Sequence, residues 1–113
     1  RGEGEVVEDH GGVLSWRDLV MDQDAHRVSR AGRPLHLGPT EYRLLEFLMQ
    51  HPGRVFSREQ VLDAVWGRDI HVEPRTVDVH ISRLRTALLP AGMDRMIRTI
   101  RGSGYSLTLN GLV

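Results

Sequence analysis

The sequence predicts an α+β fold with an N-terminal sheet of four short antiparallel strands, then three helices, then a C-terminal β-hairpin. Three observations lead to this prediction. Short apolar segments alternate with polar turns between Val13 and Leu37, and apolar residues then recur at helical spacing from Pro39 to Leu89. Near the end, two strand-like runs flank Arg101-Gly102-Ser103-Gly104. With 113 residues, the chain is long enough to bury one core of its own.

The strand region begins after an N-terminal segment of different composition. Residues 1–12, RGEGEVVEDHGG, are rich in glycine and carboxylates, so we predict an interdomain linker or a flexible N-terminal segment there. The folded domain is predicted to span residues 13–110. Within it, Arg17-Asp18 and Ala31-Gly32 are polar pairs of the kind that separate the strands of an antiparallel meander. The chain begins with Arg1 and not with methionine, which favours a piece of a longer polypeptide.

Each of the three predicted helices has signals at its ends. Proline is favoured in the first turn of a helix, and Pro39 and Pro74 stand at the starts of the first and third helices. Ser57 and Gln60 have the spacing of a capping box, in which each side chain binds a free backbone amide. The predicted helices run from Pro39 to Pro52, Ser57 to Gly67 and Pro74 to Leu89, and the hairpin strands from Met96 to Ile100 and Tyr105 to Leu109.

The composition excludes several classes of protein. There is no cysteine, which excludes disulfides and thiolate chemistry and favours a reducing compartment such as the cytoplasm. No apolar run approaches the roughly 20 residues that a membrane-spanning helix needs. The six histidines lack metal-ligand spacing, and no nucleophile accompanies a base and an orienting group in a recognisable catalytic pattern. We therefore predict a cytoplasmic binding protein, not an enzyme, without metal or cofactor.

Charge is distributed unevenly, although fifteen arginines balance fifteen carboxylates and lysine is absent. Residues 1–24 contain two arginines and seven carboxylates, a net charge of −5. Residues 75–101 contain six arginines and two carboxylates, a net charge of +4. A local basic patch attracts a partner that carries phosphate charge even when the total charge is zero.

The third predicted helix is the most informative segment. At about 100° per residue, Val77, Ile81, Leu84 and Leu88 form a narrow apolar stripe, which predicts the buried face. The opposite face suits the DNA major groove, where arginine pairs with guanine and an apolar group meets the thymine methyl. The alternative is an ordinary solvated face. The predicted outward face comprises Arg75, Thr76, Val79, Ser82, Arg83 and Thr86, with Asp78, His80 and Arg85 on its flanks.

Two neighbouring features bear on the same interpretation. Asp78 can orient an arginine three to seven residues away or accept a hydrogen bond from cytosine, and we favour the orienting role over an accidental surface charge. The hairpin holds Arg98 and Arg101 beside glycines, and an arginine at a hairpin tip can enter a narrow minor groove. The helix and the hairpin together favour DNA as the partner.

Three stretches of the chain resemble one known family. They are GPTEYRLLEFLMQHPGRVFSREQVLDAVWG, VEPRTVDVHISRLRTAL and DRMIRTIRGSGY. From about Val13 to Leu109, the chain is similar to the effector domains of the OmpR/PhoB family of response regulators. The resemblance implies a winged helix-turn-helix, in which the third helix enters the major groove of double-stranded DNA and a hairpin wing touches the adjacent minor groove.

The resemblance assigns functional residues by matching position. Trp66 matches a tryptophan near the DNA backbone. The loop from Gly67 to Pro74, with Val72 and Glu73, is implied to contact the sigma subunit of RNA polymerase. The other predicted DNA-binding residues lie on the recognition helix and the wing: Arg75, Thr76, Asp78, Val79, His80, Ser82, Arg83, Arg85, Thr99, Arg101 and Gly102.

The resemblance also implies partners beyond this chain. A receiver domain of the same protein would be phosphorylated and drive head-to-tail dimerisation on tandem direct repeats, with phosphate-starvation genes as targets. Two positions depart from the family pattern: Ser82 stands where relatives often have an arginine, and Pro74 where a related loop ends in an acidic residue. Two alternatives remain, a sibling regulator of another set of genes and a winged helix that acts mainly as a protein-interaction module.

Overall fold

The computed structural model describes residues 6–68 and 71–109, which form two antiparallel sheets and the helices packed against them. The strands of the first sheet are hydrogen-bonded to one another in chain order, as in the predicted meander. They are β1 (Glu8–Asp9), β2 (Val13–Trp16), β3 (Leu19–Asp22), β4 (Arg27–Arg30) and β5 (Arg33–Leu35).

The first sheet has one strand more, within the described residues, than the four that the sequence predicts. The additional strand is β1, which lies in the segment predicted to be a linker and pairs Glu8 with Ser15 and Asp9 with Leu14. Both β1 side chains are exposed, so hydropathy carries no signal for this strand. Backbone hydrogen bonds pair this short edge strand with β2, and these bonds do not depend on side-chain type.

The helices lie where the sequence predicts them. They are α1 (Pro39–Gln50), α2 (Arg58–Trp66) and α3 (Arg75–Leu88). The predicted capping box is present at the start of α2, where the Gln60 amide donates to Ser57 Oγ at 3.1 Å and the Ser57 amide donates to Gln60 Oε1 at 2.9 Å. In the described part of the chain, no helix is long and apolar enough to cross a membrane.

The second sheet contains the predicted hairpin. Its strands β7 (Ile97–Ile100) and β8 (Gly104–Leu107) pair with each other, and we call this pair with its turn, residues 101–103, the wing. A further strand, β6 (Val55–Phe56), pairs with β8 and joins the wing to the segment between α1 and α2. Strand β6 is not predicted from the sequence, because two residues are too few to show an alternation of polar and apolar side chains.

The core fixes the orientation of α3. Its predicted stripe is fully buried, with Val77, Ile81, Leu84 and Leu88 each at most 1% exposed. Side chains of one helix stripe share a face, so burial of this stripe leaves the opposite face of α3 in solvent. The core includes residues of the first sheet, α1 and the second sheet: Leu14, Trp16, Leu19, Met21, Leu44, Leu45, Leu48, Tyr105 and Leu107.

An arginine of the first sheet also holds the end of α3. Arg30 Nε donates to Asp18 Oδ1 at 3.2 Å, and Arg30 Nη1 donates to the carbonyl oxygen of Ala91, in the 3-10 turn that follows α3. Carbonyls at a helix C-terminus need donors from outside the helix. The first sheet therefore supports α3 although it contributes none of the predicted DNA-binding residues.

Candidate nucleic-acid interface

The outward face of α3 presents the residues predicted for it. Val79 is 48% exposed, and Arg75, Ser82 and Arg83 are exposed beside it. Among the described residues, Arg83 takes part in none of the ion pairs, so its guanidinium is available to a ligand. An arginine fork beside an apolar side chain is the combination that reads guanine and thymine in a major groove.

The wing tip extends this surface beyond α3. The turn is closed by the Ser103 amide, which donates to the Ile100 carbonyl at 2.8 Å. Gly102 has a φ of 78°, the left-handed conformation that favours glycine, and Arg101 is exposed beside it. The structure therefore places Arg101 at a tight, protruding tip, as the sequence analysis predicts.

Exposed arginines outnumber exposed carboxylates on α3 and the wing, whereas the first sheet and its turns carry both signs, with Arg17, Arg27 and Arg33 exposed there. Carboxylates Glu8, Asp9 and Asp18 are exposed on the first sheet and its turns. The exposed arginines of the later segment lie on α3, on the wing and just before the wing: Arg75, Arg83, Arg95, Arg98 and Arg101. The basic surface thus coincides with the predicted DNA-binding elements.

Arg85 connects α3 to the wing. Its Nε and Nη2 donate to the Ile97 carbonyl at 3.1 and 2.8 Å, and Nη2 also donates to Thr99 Oγ1 at 2.8 Å. Two of the predicted DNA-binding residues, Arg85 and Thr99, therefore bind each other. Their arrangement fixes the position of β7 relative to the recognition helix, because a planar guanidinium binds its acceptors in a defined geometry.

Asp78 connects three elements, and its partner differs from the predicted one. Asp78 Oδ1 accepts hydrogen bonds from Arg58 Nε of α2 at 2.8 Å and from the Tyr105 hydroxyl of β8 at 2.5 Å. The sequence pattern predicts that Asp78 orients an arginine of its own helix. Arg58 is 20 positions away in the sequence, so helical spacing could not reveal this pairing.

The protonation state of Asp78 follows from these contacts. Burial favours its neutral form, but the hydrogen bonds from Arg58 and Tyr105 outweigh burial and hold the pKa of Asp78 below its usual range. Burial and the hydrogen bond to Asp78 raise the pKa of Tyr105, and the hydrogen bond to Asp78 raises the pKa of Arg58. At neutral pH, Asp78 is therefore a carboxylate that accepts from two protonated groups.

His80 lies on the flank of α3 opposite to Asp78 and is largely buried. Its Nδ1 is 2.5 Å from Glu41 Oε2 of α1, and the exposed fractions of the two side chains are 17% and 10%. Trp66 packs against the His80 ring at a centroid distance of 5.3 Å and against the core. Trp66 and His80, both predicted to bind DNA, thus also join α1, α2 and α3.

The predicted polymerase-contact loop is described only in part, because residues 69 and 70 lie outside the described residues. Gly67 has a φ of 91° and begins the loop. Val72 packs against the core, whereas Glu73 and Pro74 are exposed. Within the described part of the loop, the exposed surface next to α3 is therefore formed by Glu73 and Pro74 and not by Val72.

Three residues that hold the flanks of α3 are not among those predicted from the sequence: the exposed Arg58 and the buried Tyr105 and Glu41. Each of them binds a polar residue on a flank of α3, but from another element of the fold. Arg58 directly follows the capping Ser57. Its position at the start of α2 is the one feature of the sequence that could have pointed to it. In the described residues, no group of three or more His, Asp or Glu side chains is placed to hold a metal ion.

Residues 32–107 match the protein family described as "Transcriptional regulatory protein, C terminal". The chain belongs to this family. The predicted resemblance to the OmpR/PhoB regulators is thereby confirmed, and so are the winged-helix fold and the prediction of a regulatory domain that is not an enzyme. Helix α3 and the wing both lie within the matched residues.

Two relatives and one solved structure show how close the similarity is. The chain is 62% identical over 95 residues to the phosphate regulon transcriptional regulatory protein PhoB of Rhizobium meliloti, covering 84% of this chain and 42% of that protein. It is 56% identical over 93 residues to PhoB of Escherichia coli, covering 82% of this chain and 41% of that protein. The DNA-binding domain of response regulator AdeR, solved in complex with an intercistronic region, is 33% identical with a TM-score of 0.74, covering 83% of this chain and 96% of that chain. The chain thus spans less than half the length of these curated relatives.

Proposed function

We propose that this domain binds double-stranded DNA in a sequence-specific manner as the output domain of a two-component response regulator. The observation that carries the proposal is the exposed face of α3, where Arg83 and the 48%-exposed Val79 lie side by side on a helix held rigidly by its buried stripe. A rigid helix face with these side chains fits the major groove, and Arg101 at the wing tip fits the adjacent minor groove.

The contacts divide into two kinds. Arg83 and Val79 would read base edges, while Arg75, Thr76 and Ser82 lie beside them and would contact phosphates or bases at the edge of the groove. Gly102 lets the wing backbone approach the minor groove closely. The residues on the flanks of α3 act through the interior contacts already described, which hold the helix and the wing in position.

The finer parts of the proposal concern the target genes and the intact protein. Identity of 62% to a regulator named for the phosphate regulon supports phosphate-starvation genes as targets. We further propose a receiver domain in the intact protein, head-to-tail dimers on tandem direct repeats, and action in the cytoplasm where chromosomal DNA is accessible. The segment up to residue 12, which includes β1, would connect the two domains.

Arg83→Ala is expected to reduce preference for the cognate site by about 1 to 3 kcal/mol, because a guanidinium that reads guanine distinguishes it from other bases. The measurement is fluorescence anisotropy on a duplex with two phosphate-box-like direct repeats and on a scrambled duplex, at fixed salt. Arg33→Ala on β5 removes the same charge from the first sheet and serves as the matched control. Equal losses on both duplexes would contradict base reading by Arg83.

The anisotropy experiment on the unaltered domain also separates the candidate functions. Preferential, salt-sensitive binding to the repeats supports both DNA reading and the phosphate assignment. Equal weak binding to both duplexes would favour a sibling regulator of other genes. No binding to either duplex would contradict the proposed function and favour the protein-interaction module.

A second function, contact with the sigma subunit of RNA polymerase, is supported by the exposed pair Glu73 and Pro74 at the start of α3. Glu73→Ala is expected to leave DNA affinity within about twofold, because surface substitutions cost little, while lowering transcription by the full-length activator. The measurements are DNA binding and transcription in vitro on the same promoter. Loss of DNA binding in this variant would contradict the assignment of the loop.

A further inference from the structure

We propose that Arg58 contacts the DNA backbone where it crosses from the major to the minor groove, and that Asp78 and Tyr105 are positioning residues that hold its guanidinium there. This inference rests on the proposed function. If α3 occupies the major groove and the wing the adjacent minor groove, the sugar-phosphate strand between the two grooves passes over the space between these elements.

That space is a cleft in the structure, and Arg58 lines it. The cleft is bounded by the start of α2, the residue before α3 and the wing turn. Arg58 projects from the first residue of α2, and 51% of its side chain is exposed. A strand of DNA backbone lying over the cleft would therefore meet a guanidinium. The residues that line the cleft include Ser57, Arg58, Pro74, Thr99, Gly102 and Tyr105.

The contacts of Arg58 leave its outer nitrogens available. In the described part of the chain, the hydrogen bonds of Arg58 involve Nε alone, which donates to Asp78 Oδ1 at 2.8 Å. A guanidinium has five N–H donors in a planar fork, so the donors on Nη1 and Nη2 remain for a phosphate. The hydrogen bond to Asp78 holds Nε and so orients the guanidinium. Because this long side chain is already ordered in the free domain, its ordering does not reduce the free energy of DNA binding.

The same geometry accounts for a carboxylate on the DNA-facing side of α3. Asp78 alone would repel phosphates, but the Tyr105 hydroxyl donates to the same oxygen, Oδ1, at 2.5 Å, so this oxygen is occupied by two donors. Glu59 lies in the cleft as a second carboxylate. Arg58 neutralises Asp78, with which it is paired, and is the cationic side chain at the start of α2 that lines the cleft.

The first test measures the salt dependence of DNA affinity for the unaltered domain, Arg58→Ala and Arg33→Ala. Each phosphate contact contributes about 0.9 to the slope of log K against log salt, so Arg58→Ala should lower the slope by about one and weaken binding about tenfold at 0.1 M salt. The loss should be equal on cognate and scrambled duplexes, because phosphates carry no sequence. A slope for Arg58→Ala equal to that of Arg33→Ala overturns the proposal.

The second test is a double-mutant cycle with Asp78→Ala. If Asp78 acts by holding Arg58, Asp78→Ala should weaken DNA affinity more when Arg58 is present than in the Arg58→Ala background. The difference should be about two- to tenfold, the cost of ordering one long side chain. A merely structural Asp78 would have the same effect in both backgrounds, which overturns the positioning role. Arg58→Lys keeps the charge without the fork and should restore the salt slope but not the full affinity.

The outcomes separate this inference from the function on which it rests. The unaltered domain is measured first, and failure to bind DNA contradicts the proposed function. Specific binding by the unaltered domain with an unchanged slope in Arg58→Ala contradicts the Arg58 contact alone. Thermal unfolding of every variant shows whether the exposed Arg58 and the half-exposed Asp78 can be replaced with the fold intact. If Asp78→Ala does not fold, the second test is repeated with Tyr105→Phe, which removes one donor to Asp78.

Discussion

Gly104→Ala is expected to lower the free energy of unfolding by about 3 kcal/mol or more. Gly104 has a φ of 139°, and a Cβ at this position would lie 1.9 Å from the carbonyl oxygen and 2.7 Å from the carbonyl carbon of Phe56. Both atoms belong to the backbone, so no side chain can rotate away. The substitution therefore forces β6 and β8 apart and displaces the wing from α3.

Gly102→Ala is the matched control for this substitution. Gly102 also has a positive φ, 78°, but a Cβ there would meet no atom within 4 Å. It should cost about 1 kcal/mol, the strain of a left-handed backbone alone. Urea denaturation of the two variants gives the comparison. Equal losses would show that backbone strain, and not close approach to β6, makes glycine necessary at position 104.

Leu84→Ala is the second substitution with a large expected effect, a loss of about 2 to 5 kcal/mol in the free energy of unfolding. Leu84 is 0% exposed and lies on the stripe of α3 that packs into the core. Removal of its side chain leaves a cavity between α3 and the core. Because the stability of such a domain is about 5 to 15 kcal/mol, the loss is a large fraction of the total.

Leu89→Ala tests whether this loss depends on burial. Leu89 directly follows the last residue of α3 and is 60% exposed, so its truncation should change stability by about 0.5 kcal/mol or less. Chemical denaturation of both variants decides the matter. Similar losses at Leu84 and Leu89 would mean that α3 is rotated from the orientation described, and the assignment of Val79 and Arg83 to its outward face would fail with it.

These two substitutions affect the interface without touching its outward residues. Leu84 orients α3 about its axis, whereas Gly104 allows β8 to pack against β6 and so supports the wing. Arg85 then joins the two elements through Ile97 and Thr99. In the proposed DNA complex, affinity therefore depends on the relative placement of α3 and the wing, and that placement is set by residues that need no contact with DNA.

Much of the candidate site could be predicted because its pattern is local. The stripe of Val77, Ile81, Leu84 and Leu88 predicts which face of α3 is buried, and the structure confirms it. Once one face of a helix is buried, the opposite face follows from its geometry. For the same reason, the outward positions of Val79 and Arg83 could be assigned from the sequence.

The flanks of α3 could not be predicted in the same way. Asp78, His80 and Arg85 have polar side chains on the flanks of the helix. Helical spacing does not determine whether such side chains point to solvent or bind other parts of the protein. Their partners are distant in the sequence: Tyr105 lies 27 positions from Asp78, and Glu41 lies 39 positions from His80. Helical periodicity describes neighbours within a few residues and gives no information on such pairs.

The sequence by itself determined the order of the elements, the buried stripe and outward face of α3, the capping box and the family, because each of these depends on residues close together in the chain. The tertiary structure alone decided that Asp78 binds Arg58 and Tyr105, that Arg85 binds the wing, and that β1 and β6 pair with their sheets. The physical reason is that long-range hydrogen bonds form only after packing has brought their donors and acceptors together, and backbone pairing of short strands leaves no mark in side-chain pattern.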